Sequence, residues 1–556
     1  MLDRMKQREK SVELAGNWEF SFDGKSWRGI NVPFCPQSRL SGIGHTDFIR
    51  ECYYRRKFFA EKTGDRLFLH FGAVDYRAVV RINGKYVGSH TGGYTPFSFD
   101  ITDFVTEGEN GLELSVYDED EASRASGKQS RLPKPCGCIY TRTTGIWQPV
   151  WLEYVPEKRV EDFRFYPDIR EGAVTVDLRV NGSGNYRIQV FFEGEEAGQV
   201  CGEIRYRREI RIPLRIKKLW RLGEGNLYDV RISFETDEVR SYFGLREVGY
   251  DGYDFLLNGE KVFQKLVLDQ GFYPDGIYTA PSEADMEKDI ELALALGFNG
   301  ARLHQKVFDP RFLYLCDKKG YIVWGEFPSW GVDCTDLSSF GQFLREWEEV
   351  LRRDFNHPPI VTWSPLNEVY EGADGSGKRN DFRFIDSLCA FTKAYDTTRP
   401  CVDSSGGHHG EHTDLFDFHA YAAAEDLKSY LDGLEERDEL NVPLLYATYG
   451  GEKYKKGKPV HFSEYGGVAL VGGEPEGDLW SYGRNETDGD SFVERYRALT
   501  EPLFGYKKLS GFCYTQLYDI EQEQNGFYRY DRSDKLSEAQ KEKIREINGG
   551  DRKNPR

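Results

Sequence analysis

Two glutamates, each directly after a short apolar run, are the residues of this 556-residue chain that are best placed to carry chemistry. The run 360–363 leads through a proline to Asn367 and Glu368, and the run 459–463 leads directly to Glu464. Such runs are typical of buried strands in a parallel sheet, and barrel enzymes place their reactive groups beyond the C-terminal ends of these strands. Two carboxylates in this position are what retaining cleavage of a glycosidic bond requires, one as acid/base and one as nucleophile.

The N-terminal region, residues 1–157, has the pattern of a β sandwich. Short runs rich in β-forming residues lie at 53–59, 66–71 and 78–82. Asn83 and Gly84 follow the third run, and because both residue types tolerate positive φ, the pair predicts a hairpin turn. Many short strands with frequent turns predict a β jelly roll.

Residues 158–247 continue the β pattern after a charged linker. Candidate strands lie at 174–180, 186–192, 203–212 and 228–234. A stretch of this length with about seven short strands predicts an immunoglobulin-like β-sandwich.

From residue 248 to 556 the pattern changes to helices that alternate with short apolar strands, which predicts a TIM (β/α)8 barrel. The eight candidate strands are 262–268, 298–303, 321–325, 360–364, 401–403, 416–420, 459–463 and 511–516. The candidate helices are 282–296, 310–319, 340–355, 382–394, 424–436 and 491–506, and the tail 537–556 is predicted to be an amphipathic helix with a frayed end. In this count Glu368 follows the fourth strand and Glu464 the seventh.

The composition excludes several classes of function. A net charge of −18 argues against a surface that binds nucleic acid or an anionic membrane, because both require a basic face. The ten cysteines are scattered without a CxxC pair, which favours free thiols and a cytoplasmic location. No cofactor or metal motif is found, since the stretch 408–412 lacks HExxH spacing. No leader or membrane span is predicted, and the sequence leaves open whether the chain forms a homo-oligomer.

Several stretches together resemble glycoside hydrolase family 2, the family of β-galactosidase, β-glucuronidase and β-mannosidase. The resemblance covers almost the whole chain. Residues 71–76 and 144–150 resemble the family's sugar-binding domain, 242–246 its immunoglobulin-like domain, and 297–304 its second barrel strand. The resemblance implies a carbohydrate substrate and the three-domain architecture that the strand and helix patterns predict.

The resemblance also implies roles for individual residues. Glu368 matches the acid/base and Glu464 the nucleophile. Residues expected on the substrate side are Asn367 at the sugar 2-hydroxyl, Arg302 beside the nucleophile, and His304, His419 and Tyr421 around them. The family's usual tryptophan platform after the last strand is replaced by a stretch containing Gln516, so Trp330 is a candidate stacking face.

One departure from the family pattern bears on the sugar. Glucuronidases carry Asn-x-Lys in the last barrel loop, whereas this chain has Glu523-Gln524-Asn525-Gly526. The missing lysine favours a neutral sugar. An exo-β-galactosidase is the leading hypothesis, and a β-mannosidase or other β-glycosidase is the alternative. A β-glucuronidase is less expected unless Arg529 or Arg532 supplies a charge. A carbohydrate-binding protein without catalysis is the rival from another class, and a scaffold protein is the third hypothesis.

Overall fold

The computed structural model describes residues 4–119, 123–369, 382–440, 454, 456–471, 479–482 and 485–550. Two β sandwiches precede a C-terminal β/α barrel, as the sequence predicts. The strands of the described residues, numbered along the chain, are β1 (Ser11–Glu13), β2 (Gly16–Ser21), β3 (Arg28–Val32), β4 (Glu51–Ala60), β5 (Arg66–Phe71), β6 (Val74–Asp75), β7 (Arg77–Ile82), β8 (Lys85–Thr91), β9 (Phe97–Asp100), β10 (Gly108–Tyr117), β11 (Gly145–Ile146), β12 (Val150–Val155), β13 (Val160–Asp168), β14 (Ala173–Phe192), β15 (Glu195–Pro213), β16 (Leu227–Phe234), β17 (Asp237–Gly244), β18 (Val248–Asp251), β19 (Asp254–Leu257), β20 (Glu260–Lys261), β21 (Gln264–Asp269), β22 (Gly300–Leu303), β23 (Ile322–Glu326), β24 (Ile360–Ser364), β25 (Leu366–Asn367), β26 (Ser404–Ser405), β27 (Phe416–His419), β28 (Val460–Gly466) and β29 (Leu509–Thr515).

The helices match the predicted ones to within a few residues. They are α1 (Glu283–Ala295), α2 (Pro310–Lys319), α3 (Phe340–Asp354), α4 (Phe382–Tyr395), α5 (Ala424–Arg437), α6 (Gly489–Thr500) and α7 (Glu538–Asn548), with short 3-10 segments at Arg39–Ser41, Leu337–Ser339 and Glu501–Gly505. Ser282 caps α1 through its side chain, which accepts the N–H of Asp285. The last six residues of the predicted tail lie outside the described residues.

The N-terminal sandwich packs two antiparallel sheets with orders β1-β12-β5-β9 and β3-β2-β4-β10-β7-β8. The predicted hairpin is confirmed, because Asn83 (φ 51°) and Gly84 (φ 74°) form the turn between β7 and β8. The loop 123–144 leaves this sandwich between β10 and β11. We call it the mouth loop, because it reaches the barrel.

The second sandwich has fewer and longer strands than predicted. The candidate runs 174–180 and 186–192 belong to one strand, β14, which pairs with β15, a strand that is one residue shorter. A register shift between Arg179 and Ser183, next to Gly182 (φ 124°), interrupts the regular pairing without ending the strand. The prediction of about seven short strands was therefore wrong in number, because bulged long strands carry alternating patterns in separate pieces.

The barrel sheet is parallel, with the order β24-β23-β22-β21-β29-β28-β27. The predicted fifth strand, 401–403, is not part of this sheet among the described residues. Cys401 instead makes an isolated bridge to Trp363, and β26 pairs with β25. Pro365 separates β24 from β25, and a proline interrupts a ladder because it has no N–H to donate.

The N-terminal sandwich shares its core with the barrel. Tyr94 and Trp147 of the sandwich lie in the same cluster of buried side chains as the barrel residues Phe327 and Trp347. Buried apolar contacts of this kind hold the mouth loop at a fixed position relative to the strand ends. None of the helices among the described residues is both long and apolar enough to cross a membrane.

Candidate active site

Arg302, at the end of β22, lies at the centre of the polar groups at the C-terminal edge of the barrel sheet. Its side chain is fully buried. The guanidinium donates to Glu326 Oε1 at 2.6 Å, to Glu464 Oε1 at 3.1 Å and to Asn367 Oδ1 at 3.2 Å. One arginine thus connects the ends of β22, β23, β25 and β28, which the parallel arrangement of the sheet brings together.

Glu464, within β28, is a buried carboxylate surrounded by donors. Besides Arg302 it accepts a hydrogen bond from Tyr421 Oη at 2.7 Å, and His419 Nε2 lies 3.4 Å from its Oε1. Burial opposes ionisation, but the charges of His419 and Arg302 outweigh it and lower the pKa of Glu464 to about 2. Glu464 is therefore ionised at neutral pH.

Glu368 follows β25 and lies on the other side of the His419 ring. Its Oε1 is 2.8 Å from His419 Nδ1, and its carboxyl group is more exposed than that of Glu464. The backbone at Glu368 has φ 53°, a left-handed conformation that is uncommon for a residue other than glycine. The hydrogen bond from Glu368 N to the carbonyl of Ser405 at 2.9 Å fixes this turn.

The two carboxylates and the histidine between them are close together. One carboxylate oxygen each of Glu368 and Glu464 and one ring nitrogen of His419 all lie within 4.8 Å of one another. Burial alone would lower the pKa of His419, but Glu464 and Glu368 raise it above the ordinary value. The arrangement therefore combines an ionised carboxylate, a second carboxylate and a titratable imidazole between them.

Asn367 and Trp330 lie beside Glu368. The Asn367 carbonyl oxygen accepts the Trp330 indole N–H at 3.2 Å, and the backbone N–H of Asn367 donates to Ser329 Oγ at 3.1 Å. Asn367 Nδ2 is buried and has no hydrogen-bond partner among the described residues. A buried donor of this kind costs free energy until an acceptor reaches it.

His304 faces Glu326 rather than open solvent. Its Nδ1 lies 3.2 Å from Glu326 Oε2 and 3.8 Å from Glu464 Oε1. Burial lowers the pKa of His304 well below its ordinary value, so the ring is neutral. Glu326 is not among the predicted site residues, although it directly follows the run 321–325, the same signal that identified Glu464.

Tyr421 and Gln516 occupy different surroundings. Tyr421 stacks on Tyr482 with ring centroids 3.8 Å apart, and its hydroxyl bonds to Glu464. Gln516 is buried, and its amide accepts from Gln270 at 2.6 Å and donates to Asn525 Oδ1 at 2.7 Å. Both polar atoms of Gln516 thus have partners inside the protein.

Glu523 belongs to the same internal network. Its Oε2 accepts the hydroxyl of Tyr140, a mouth-loop residue, and its Oε1 accepts Asn525 Nδ2 at 3.0 Å. Arg532, one of the two arginines considered as a source of charge, pairs instead with Asp289 at 2.9 Å. The other, Arg529, donates to the carbonyl of Asp534.

The mouth loop adds a cation that the sequence analysis missed. Lys128 is 4% exposed, and its ammonium lies 4.2 Å from the centre of the Trp330 ring. It is close enough to Glu464, Glu368 and Glu523 to be influenced by their charges. No local pattern distinguishes this lysine, because its position depends on how two domains pack.

Three models of known protein domains match successive stretches of the chain. Residues 10–152 match the sugar-binding domain of glycosyl hydrolases family 2, 158–246 match the model named glycosyl hydrolases family 2, and 279–496 match the family's TIM barrel domain. The three stretches follow one another in the order of the three observed regions.

Curated relatives carry two different activity names. A putative beta-glucuronidase of Formosa agariphila is 24% identical over 86% of this chain, and rat beta-glucuronidase is 27% identical over 77%. A beta-galactosidase of Thermoanaerobacterium thermosulfurigenes is 26% identical over 80% of this chain. These alignments cover 57%, 69% and 65% of the relatives' own lengths, respectively.

Solved structures share the whole fold. A beta-glucuronidase of an uncultured Clostridium species superposes with a TM-score of 0.79 at 20% identity, covering 98% of this chain and all of the other. A beta-galacturonidase from Eisenbergiella tayi bound to galacturonate has a TM-score of 0.76 at 20% identity and covers 98% of each chain. From the three consecutive domain matches, we conclude that the chain belongs to glycoside hydrolase family 2.

Proposed function

We propose that this protein is an exo-acting, retaining β-glycosidase that works through a covalent glycosyl-enzyme intermediate. The observation that carries the proposal is the pair Glu368 and Glu464, since one carboxylate oxygen of each lies within 4.8 Å of the other. Retaining enzymes place their two carboxyl groups about 5–5.5 Å apart, whereas inverting enzymes need about 6.5–9.5 Å for a water molecule.

Glu464 is the nucleophile in this mechanism. Its ionised oxygen attacks the anomeric carbon, and the bond from that carbon to the leaving oxygen breaks. Arg302 and His419 keep Glu464 ionised, and the hydroxyl of Tyr421 holds its second oxygen at 2.7 Å. The low pKa also makes the carboxylate a competent leaving group when the intermediate is hydrolysed.

Glu368 is the acid/base. Glu368, which His419 positions through the contact at 2.8 Å, gives a proton to the leaving oxygen in the first step and then accepts a proton from the water that attacks the intermediate. The unpartnered Nδ2 of Asn367 is available to a sugar hydroxyl near the anomeric centre. His304, Trp330 and Gln516 stay predicted substrate-side residues, the first two beside the carboxylates and Gln516 within the buried network.

Two candidates remain for the sugar. The sequence-based candidate is a neutral sugar, with a β-galactoside first and a β-mannoside second. The pairing of Arg532 with Asp289 supports this candidate, because that arginine supplies no charge to the open end of the barrel near Glu368 and Glu464, which we call the mouth. An acidic sugar is the second candidate, favoured by the Lys128 ammonium near both carboxylates.

Trapping of the intermediate tests the proposal. A 2-fluoro aryl β-glycoside should inactivate the enzyme and add one glycosyl group to the peptide that carries Glu464, as detected by mass spectrometry. A label on Glu368, on Glu326 or elsewhere would overturn the assignment of the nucleophile. An inverted anomer as the first product, observed by NMR, would overturn the retaining mechanism.

A further inference from the structure

The backbone next to Lys128 is fixed against the barrel. Ser126 N donates to the carbonyl of Trp330 at 2.9 Å, and Gly127 N donates to the carbonyl of Pro328 at 3.1 Å. Gly127 has φ 56°, and a Cβ there would lie 2.5 Å from the carbonyl oxygen of Gln305. Only glycine allows this close approach, which sets the position of the lysine that follows.

The Lys128 ammonium is charged and forms no ion pair within the part of the chain that the structure describes. Burial opposes the charge, but surrounding acidic groups raise the pKa of Lys128 above its ordinary value. These groups are Cys138, Glu523, Glu464 and Glu368. Among the described residues, none forms an ion pair with Lys128 within 4.0 Å, and the Trp330 ring is its contact. A desolvated ammonium that contacts no anion directly is costly, and a ligand that supplies such a contact gains affinity.

Glu523, which lies in the stretch that replaces Asn-x-Lys, forms no ion pair with Lys128 among the described residues. Its two oxygens accept hydrogen bonds from Tyr140 and Asn525, and it is almost completely buried. Burial raises the pKa of Glu523 above its ordinary value. The side chain therefore belongs to the wall of the site rather than to the surface that meets the sugar.

We propose that Lys128 is a specificity-determining residue that binds the carboxylate of an acidic sugar, so that the preferred substrate is a β-linked uronide. The proposal rests on the proposed glycosidase function. The cation comes from the N-terminal sandwich and not from the last barrel loop, so the sugar acid is recognised across the domain boundary. Since Lys128 also lies near Glu464, its alternative role is electrostatic support of the nucleophile.

The test compares substrates that differ only in the presence of a carboxylate. The pairs are 4-nitrophenyl β-D-glucuronide with the β-D-glucoside, and 4-nitrophenyl β-D-galacturonide with the β-D-galactoside. In the parent enzyme, kcat/KM should favour the uronide of at least one pair. Lys128→Met should lower the uronide-to-neutral ratio of kcat/KM for that pair by at least about 30-fold, mainly through KM, because a buried charge pair is lost.

Further variants separate charge from packing. Lys128→Arg should keep the ratio within about tenfold, since it keeps the cation. Lys128→Gln keeps a hydrogen-bond donor without the charge, so it should behave like Lys128→Met, and it replaces that variant if circular dichroism shows that the methionine disturbs folding. Lys134→Met is the matched control, because Lys134 is exposed on the same loop and its substitution makes the same change in net charge.

The outcomes separate this proposal from the glycosidase function. An equal loss of kcat/KM for both members of a pair would mean that Lys128 supports the nucleophile, and it would overturn the proposal. A parent enzyme that prefers the neutral sugar of both pairs would overturn it as well. In either case, labelling of Glu464 by a 2-fluoro glycoside would still support the glycosidase. Absence of turnover and of labelling with both sugar classes would instead overturn the proposed function itself.

Discussion

Two buried carboxylates, one in each of two regions of the molecule, have pKa values shifted in opposite directions. At the barrel mouth, Glu464 contacts the guanidinium of Arg302 and its pKa is lowered to about 2. At the seam between the N-terminal sandwich and the barrel, Glu346 of α3 is equally buried, yet its pKa is raised to about 7, chiefly by burial. Its hydrogen-bond donors are the Tyr76 hydroxyl at 2.5 Å and the Gln342 amide at 2.9 Å.

The difference shows that burial alone does not determine the charge of these side chains. Neutral donors hold Glu346 in place but do not compensate for the loss of hydration, so the protonated form is favoured. The cationic groups around Glu464 do compensate for its loss of hydration. The surroundings of Glu464 therefore keep a negative charge in a buried position, which is the property that a nucleophilic carboxylate requires.

The largest expected effect is the loss of activity in Glu464→Gln. The substitution keeps the volume but removes the attacking charge, so kcat for aryl glycosides should fall at least about 10⁴-fold. The thermal midpoint should stay close to that of the parent, because Arg302 retains Glu326 as a partner. Substantial remaining turnover in a folded variant would place the nucleophile elsewhere.

A smaller, substrate-dependent effect is expected for Glu368→Ala. Substrates with poor leaving groups should lose about 10²–10⁴-fold in rate, whereas activated aryl glycosides should lose less, because their leaving groups depart without a proton. Sodium azide should restore turnover by attacking the intermediate in the space that the side chain leaves. Equal losses for both classes of substrate, together with no effect of azide, would contradict the acid/base role.

Glu326→Gln should slow catalysis without removing either reacting group. Glu326 orients Arg302 through the contact at 2.6 Å and bonds His304 at 3.2 Å. We expect kcat to fall about 10–100-fold with little change in KM, because the arginine then holds the nucleophile less accurately. An unchanged kcat would mean that the Ser463 carbonyl, 2.7 Å from Arg302 Nη1, is sufficient to orient it.

Much of the fold could be predicted from the sequence, because local patterns determine local elements. The turn at Asn83 and Gly84 and the cap at Ser282 lie where residue preferences place them. The long β14 and the missing fifth sheet strand could not be predicted in this way. Both depend on how a strand pairs after an irregularity, which is a tertiary property.

The residues of the candidate active site also differ in whether a local sequence pattern could predict them. Glu368 and Glu464 are detectable because each follows an apolar run, and Glu326 has the same signal. Lys128 has none, because it lies in a loop more than two hundred positions before the residues that it approaches. The prediction of a neutral sugar rests on the last barrel loop, whereas in the structure the mouth loop also reaches the site and brings Lys128 to Trp330.

The smallest expected effect is a change in the stability of the folded protein caused by Glu346 at the seam. Glu346 has a folded-state pKa of about 7, above its ordinary value of 4.5. The folded state therefore binds a proton more tightly than the unfolded state, and the parent loses stability as the pH rises from 4.5 through 7. The penalty reaches about 3 kcal/mol above that range, since each pKa unit corresponds to about 1.4 kcal/mol.

Glu346→Gln removes this titration. Relative to the parent, the free energy of unfolding in urea should rise by about 2–3 kcal/mol between pH 4.5 and pH 8. Activity should change little, because the seam lies away from the reacting groups. Glu348→Gln is the matched control, since Glu348 is exposed on the same helix. Parallel stability curves for Glu346→Gln and the parent across this pH range would show that Glu346 is ionised in the folded protein, and the contrast between mouth and seam would then disappear.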